Sequence, residues 1–205
     1  MTDRKRAFDL AVTLPALILS LPVQAVVAVA VRAKLGSPVI FSQERPGLAG
    51  RVFIMRKFRT MLEPDGTTGL VTDIDRLTPF GAFLRSTSLD ELPTLWNIVR
   101  GDMSLVGPRP LLVRYLDRYS VVQSRRHEVR PGLTGLAQVS GRNAISWDQR
   151  LALDVEYVDT HTLRADVCII IRTVTAVLLR DGISAEGNAT MPEFRGNPDS
   201  TGDRA

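Results

Sequence analysis

Between Leu10 and Val31 the chain carries no charged residue. As a straight helix this run would reach about 33 Å, enough to cross the hydrocarbon core of a bilayer. Two details oppose a plain crossing. Pro22 falls near the middle, where it deletes a helical hydrogen bond and kinks the chain, and Pro15 lies one or two turns earlier. Basic residues flank both ends, Arg4, Lys5 and Arg6 before and Arg32 and Lys34 after, and cationic flanks favour the cytoplasmic side. A helix that dips into the bilayer, breaks at Pro22 and returns satisfies both details. Ser20 is then expected to take up part of the freed backbone hydrogen bonding. An ordinary spanning helix stays open, because such helices tolerate proline. A signal peptide ending at Ala28-Val29-Ala30 fits less well, since the apolar run is long for one and the rest of the chain lacks the cysteines of a secreted domain.

The remaining residues suffice for one globular domain: the chain has 205 residues, 44% of them hydrophobic. The one cysteine, Cys168, excludes an intramolecular disulfide and points to a reducing compartment. A formal net charge of +4 favours anionic partners: nucleic acid, phospholipid headgroups or phosphorylated substrates. Nucleic acid is the weakest of these, because only 6% of residues are aromatic and no zinc-finger or RNP-like pattern occurs. His127 and His161 lack metal-ligand spacing.

The pattern along the chain is α+β, mostly α, with a small β-hairpin. Val39-Ile40-Phe41-Ser42 and Val52-Phe53-Ile54-Met55 read as strands joined through Arg45-Pro46-Gly47-Leu48-Ala49-Gly50. Thr78-Pro79 caps and opens a short helix through Arg85. A second helix follows Asp90-Glu91 through Val99 and stops at Gly101. Val106-Gly107-Pro108-Arg109-Pro110 reads as a fixed, extended turn. Helices are expected from Leu111 to about His127 and from Ser146 to Asp159. The apolar stretch from Val167 to Leu179 is too short to span and holds Arg172, so it reads as a core or interfacial helix. The Gly/Pro/Asp/Ser tail, residues 196–205, is expected to be disordered.

Asp90 and Glu91 are adjacent carboxylates between apolar residues. Ser88-Leu89-Asp90-Glu91 fits the S-x-x-E capping box, so helix capping accounts for them on local grounds. Around them in sequence, however, basic residues recur beside Gly and Pro: Lys57, Arg59, Arg85, Arg109, Arg130 and Arg142. A solvated basic surface accounts for most such runs. Arginines on rigid turns also suit phosphate recognition, where the guanidinium fork and close backbone approach both help. A carboxylate pair added to such a set meets the needs of a Mg²⁺-dependent phosphoryl site, in which phosphate and water supply most of the ligands.

Four motifs occur in order: Lys57-Phe58-Arg59-Thr60-Met61, Ser88-Leu89-Asp90-Glu91-Leu92-Pro93, Gly101-Asp102-Met103-Ser104-Leu105-Val106-Gly107-Pro108-Arg109-Pro110 and Arg130-Pro131-Gly132-Leu133-Thr134-Gly135. Together they resemble the bacterial sugar transferases, the small monotopic phosphoglycosyl transferases, over residues 4–196. Ser140-Gly141-Arg142-Asn143-Ala144-Ile145-Ser146-Trp147 and Ser184-Ala185-Glu186-Gly187 look most like the undecaprenyl-phosphate diacetylbacillosamine-1-phosphate transferase type. The resemblance implies a re-entrant membrane helix over residues 1–35 and a catalytic domain over 36–195, with interfacial helices around an active site at the cytoplasmic face of the bacterial inner membrane. It implies transfer of a sugar 1-phosphate, of an acetamido or diacetamido sugar, from a UDP-sugar to undecaprenyl phosphate, with release of UMP. That step would open glycoconjugate biosynthesis, beside an anionic phospholipid membrane and other glycan-assembly enzymes. By matching positions Asp90 would be the nucleophile and Glu91 its partner, both near Mg²⁺, while Lys57, Arg59, Arg85, Arg109 and Arg142 would contact phosphate or substrate. One departure stands out: many members carry Ser-Pro at the membrane kink, and here Leu21 precedes Pro22.

Two rival readings remain at this level. Asp73-Ile74-Asp75 could be the D-x-D metal site of a nucleotide-sugar glycosyltransferase, although no alternating βαβ pattern accompanies it. A basic, membrane-anchored adaptor without enzymatic activity would carry the same charge.

Overall fold

The computed structural model of the chain describes residues 3–64, 70, 72–141, 145–178 and 193–196. The apolar run lies in one helix, α1 (Asp3–Leu35), with Pro15 and Pro22 inside it. Ser20 does bond to backbone at the Pro22 turn, but not to the carbonyl of Ile18 that the proline leaves without its helical donor. Its hydroxyl donates to the Leu17 carbonyl at 2.9 Å and accepts from Gln24 Nε2 at 2.9 Å. The buried positions of α1 recur every fourth residue in each half: Lys5, Asp9, Thr13 and Leu17, then Val27, Val31 and Leu35. Both halves therefore press on the rest of the protein. Ile18, Leu19, Val26 and Val29 stay exposed between them and beside them.

The N-terminal half is held by buried charge. Lys5 Nζ lies 2.9 Å from Asp9 Oδ1 and 2.8 Å from Asp166 Oδ2, and both carboxylates are fully buried. Ser104 Oγ donates to Asp9 Oδ2 at 2.8 Å, and Tyr157 donates from its hydroxyl to Asp166 Oδ1 at 2.8 Å. Charges removed from water persist only where they are paired and hydrogen-bonded, as here. Arg6 caps the C-terminal carbonyls of Ile98 and Val99.

The hairpin is antiparallel, β1 (Ile40–Pro46) against β2 (Val52–Phe58), with Phe41 opposite Lys57. A short α2 (Asp73–Arg76) precedes α3 (Pro79–Ser86), which Thr78 caps through its hydroxyl and Pro79 opens. After α3 a 3₁₀ turn (Leu89–Thr94) runs into α4 (Leu95–Arg100), and Gly101 ends that helix in the left-handed conformation.

A second, two-stranded sheet was not expected. β3 (Ser104–Val106) pairs in parallel with β4 (Gly132–Thr134), so two of the sequence motifs meet. The meeting is close. A Cβ on Gly107 would come within 2.4 Å of the Arg130 carbonyl oxygen, and one on Gly132 within 2.1 Å of the Gly107 nitrogen. Only glycine fits at either position.

The long helix expected from Leu111 to about His127 is replaced by three short pieces: a 3₁₀ turn (Val113–Arg118), α5 (Val121–Ser124) and a second 3₁₀ turn (Arg125–His127). Tyr119 is extended, and Ser120 restarts the chain with a capping box to Gln123. After β4 come a single-turn α6 (Leu136–Val139), α7 (Trp147–Thr160) and α8 (Leu163–Leu178). Ser146 and Gln149 form the capping box of α7. Along α8, Leu163, Val167, Ile171 and Val174 are exposed while Asp166 and Ile169 are buried, leaving an apolar stripe on the surface. The tail beyond Gly196 lies outside the described residues.

Candidate active site

Asp90 and Glu91 owe their position to a spacing of three. In a 3₁₀ turn residues three apart share a face. Leu89 and Leu92 pack on the cluster of Val27, Val31, Leu35, Phe58 and Leu84, and Leu95 is buried among Met55, Ile98 and Met103. The residues between the leucines are turned off that apolar face. The expected capping box is absent. Ser88 sits in the left-handed region, φ 55° and ψ 17°, and its side chain makes no capping bond. A residue with that backbone cannot aim its hydroxyl at the N–H groups ahead as an extended N-cap does. Capping therefore does not explain the two carboxylates.

Cations from two other segments reach Glu91. Lys57 Nζ on β2 and Arg109 NH2, between its two prolines, approach the same oxygen, Glu91 Oε1, at 3.0 and 2.9 Å. Burial alone would raise the Glu91 pKa, but these two charges and their hydrogen bonds hold it well below the usual carboxylate range. Asp90 goes the other way. It is 7% exposed, and no donor among the described residues bonds its carboxylate. Burial and the neighbouring Glu91 charge push its pKa up to about 6, against the pull of Lys57, Arg85 and Arg109. Two adjacent carboxylates thus differ: one is neutralised by fixed cations, the other is desolvated and without a bonded donor among the described residues.

Buried polar residues fix Lys57. Asn97 Nδ2 donates to the Ile54 carbonyl at 2.7 Å, and Asn97 Oδ1 accepts from the Arg56 N–H at 3.2 Å. Thr94 Oγ1 donates to the Arg56 carbonyl at 2.9 Å. Both peptide groups of Arg56, one residue before Lys57, are accordingly tied to the segment that carries Glu91. Sequence reasoning missed Thr94 and Asn97; the available signal was two polar residues at buried positions of an apolar segment.

The other basic candidates divide. Arg85, on α3, donates from Nε to Thr60 Oγ1 at 3.0 Å and feels the Asp90 charge. Arg59 is committed elsewhere. Its guanidinium bonds the carbonyls of Leu35 and Ser37 and pairs with Glu63 at 2.9 Å, tying the end of α1 to the hairpin. Arg142 lies outside the described residues. The rival D-x-D is a helix start: the Asp75 carboxylate closes a capping box with Thr72, and Asp73 lies 3.4 Å from Arg76. His127 and His161 contact backbone carbonyls of Gly47 and Val158. Among the described residues no group of three or more His, Cys, Asp or Glu could hold a metal. The carboxylate pair at Asp90 and Glu91 offers hard oxygen donors, as a cation sharing its shell with phosphate and water requires.

An apolar groove of about 420 Å³ opens between α1 and α3, lined by Pro22, Val26, Ala30, Phe80, Phe83 and Leu89, the residue before Asp90.

A family model described as "Bacterial sugar transferase" matches residues 2–180. The chain belongs to the bacterial sugar transferase family. It is 47% identical over 196 residues to an uncharacterized sugar transferase, EpsL, of Bacillus subtilis, covering 95% of this chain and 97% of that one. It is 40% identical to the UDP-glucose:undecaprenyl-phosphate glucose-1-phosphate transferase of Caulobacter vibrioides, over 87% of this chain and 71% of the relative. It is 38% identical to the undecaprenyl-phosphate galactose phosphotransferase of Salmonella typhimurium, and there 87% of this sugar transferase matches only 41% of the longer relative.

Proposed function

We propose that this sugar transferase is a phosphoglycosyl transferase that moves a sugar 1-phosphate from a UDP-sugar to undecaprenyl phosphate through a covalent intermediate on Asp90. One observation carries the reading: Asp90 is buried, unbonded by described donors and within the field of Lys57, Arg85 and Arg109, beside a carboxylate already paired with Lys57 and Arg109. A nucleophile needs an oxygen free of fixed donors; a structural carboxylate in the same position would be hydrogen-bonded. The names of the Caulobacter and Salmonella relatives, both undecaprenyl-phosphate sugar-phosphate transferases, support the overall reaction.

In the first step an Asp90 oxygen attacks the β-phosphorus of the UDP-sugar, the bond from that phosphorus to the bridging oxygen breaks, and UMP leaves with the electron pair. In the second, a phosphate oxygen of undecaprenyl phosphate attacks the same phosphorus and the Asp90 carboxylate is released. Lys57, Arg85 and Arg109 supply the positive field that lets an anionic nucleophile approach a diphosphate. Mg²⁺, held by Asp90 and Glu91 oxygens, would offset further charge on the diphosphate. The isoprenoid tail of the acceptor suits the apolar groove, whose lining includes Leu89, the residue before the nucleophile.

The packing of both halves of α1 on one lobe supports a re-entrant helix. A helix crossing the bilayer with its lobe on one side would leave one end without these partners. The active site would then lie at the cytoplasmic face of the inner membrane. For the sugar, motif resemblance points to an acetamido or diacetamido sugar, whereas the relatives' names carry glucose and galactose. UMP release from a panel of UDP-sugars of both kinds decides between them.

The mechanism is tested by mass spectrometry after incubation with UDP-sugar and Mg²⁺ but no lipid acceptor. A sugar-phosphate adduct on the peptide carrying Asp90, absent from Asp90→Asn, is expected. No adduct, together with initial rates of a ternary complex in place of ping-pong behaviour, would reject the covalent route.

A further inference from the structure

Arg109 sits in a segment with few means of fixing itself. Residues 108–110 read Pro-Arg-Pro, and the two prolines have no N–H to donate, so the turn can be anchored mainly through its carbonyls. All three carbonyls are bonded, each by a donor from a different part of the fold. The Gly132 N–H on β4 donates to the Pro108 oxygen at 3.0 Å. Arg126 NH2 donates to the Arg109 oxygen at 2.7 Å, and Arg45 NH1 on β1 donates to the Pro110 oxygen at 3.3 Å.

The middle bond is the best supported. Arg126 is 2% exposed, and its charge is balanced by Asp154 on α7, which is also buried. Arg126 Nε and NH2 both reach Asp154 Oδ2, at 3.1 and 2.7 Å, so the same NH2 serves the carboxylate and the Arg109 carbonyl. Its third nitrogen lies 3.4 Å from the Tyr119 hydroxyl, and the guanidinium carbon is 5.6 Å from that ring's centroid. A buried ion pair of this kind adds little net stability over an apolar replacement of the same shape. What it supplies is an aimed donor.

We propose that Arg126, oriented by Asp154, is a positioning residue of the transferase reaction: by holding the Arg109 carbonyl it sets the Arg109 guanidinium on Glu91. Arginine is required because one planar fork must satisfy the carboxylate and the carbonyl together. Lysine at 126 keeps the charge for Asp154 but loses the fixed second donor. Displacing a positioning group by about 1 Å costs up to a hundredfold in rate. The inference rests on the phosphoglycosyl transfer reading above.

The test is a double-mutant cycle on kcat, with the UDP-sugar the wild-type protein turns over and undecaprenyl phosphate, using Arg126→Lys and Arg109→Ala. Arg126→Lys is expected to lower kcat roughly tenfold or more in the native background and less than twofold where Arg109 is already absent. An equal loss in both backgrounds would mean that Arg126 acts only on general stability, and would overturn the proposal. So would unchanged kcat in folded Arg126→Lys. If circular dichroism shows that this variant does not fold, the neutral pair Arg126→Gln/Asp154→Asn, which removes both charges of the pair together, replaces it in the same cycle. A wild-type protein that releases no UMP with any donor would sink the functional reading itself; turnover with an additive cycle sinks only this inference.

Discussion

If Asp90 is kept for chemistry, the fold bears a cost for it, and that cost is measurable. The Asp90 pKa is raised from 3.8 to about 6, chiefly by burial and then by the Glu91 charge. Between those values the native state binds more protons than the unfolded chain. Stability contributed by the neutral carboxyl is therefore fully present below the unfolded value, declines as pH rises, and is gone above about 6. A rise of that size corresponds to about 3 kcal/mol at neutral pH. Asn at position 90 is nearly isosteric and never ionises, so Asp90→Asn should be inactive and more stable than the native protein. For a domain of this size about 3 kcal/mol is roughly 6–12 °C in Tm.

The assay is thermal unfolding in detergent or nanodiscs, with a chelator present so that no divalent cation favours the anion. At pH 7.5 the Asn variant should melt several degrees higher, and the gap should close as pH falls toward 4. If Asp90 served as a helix cap, Asn would do as well and the melting curves would coincide at every pH. A variant that melts lower at neutral pH would refute the reasoning, because it would mean that the carboxylate is stabilised in the fold and not strained by it.

Arg109→Lys keeps the charge but loses the planar fork, and steady-state turnover should fall roughly ten- to hundredfold, the rate equivalent of ~1.5–3 kcal/mol; unchanged kinetics would return Arg109 to a structural role. Lys5→Met leaves Asp9 and Asp166 buried without their cation and should lower stability by about 3–5 kcal/mol, read by denaturation; a loss below about 1 kcal/mol would show the network is solvated. Cysteines at Thr2 and Ser200, in a Cys168→Ser background, should be equally protected from an impermeant thiol reagent in intact spheroplasts. Labelling at position 2 alone would establish a spanning helix.

Much of the fold was legible because it follows from local rules. The hairpin, the Thr78-Pro79 helix start, the Gly101 stop and the helix start at Ser146 all rest on a few neighbouring residues, and each forms as expected. Two elements were not legible for opposite reasons. The break between Leu111 and His127 had a local signal, Ser120-Val121-Val122-Gln123, outweighed by the apparent continuity of the segment. The β3–β4 pair had none: three-residue parallel strands some 28 positions apart are defined by their partner, not by their own composition. The glycines at 107 and 132 signalled a close approach without saying to what.

The site divides along the same line. Adjacency of Asp90 and Glu91 is visible in any reading of the sequence, and so is the wealth of arginine. What separates the two carboxylates is not visible, since it depends on which cations arrive and which are used up. Lys57 and Arg109 converge on one Glu91 oxygen from segments 34 positions before and 18 positions after it. Arg59, two residues from Lys57 on the same motif, is spent on the carbonyls at the end of α1. In an extended strand, residues two apart share a face, so spacing alone would group these two cations together. Burial separated them: Arg59 follows the last residue of β2 and meets the helix end, whereas Lys57 is still within the strand that Thr94 and Asn97 bind. The difference between an anchoring cation and one that reaches Glu91 is thus set by the polar residues that hold the backbone beside it. Thr94 and Asn97 do this for Lys57, and Arg126 does it for Arg109.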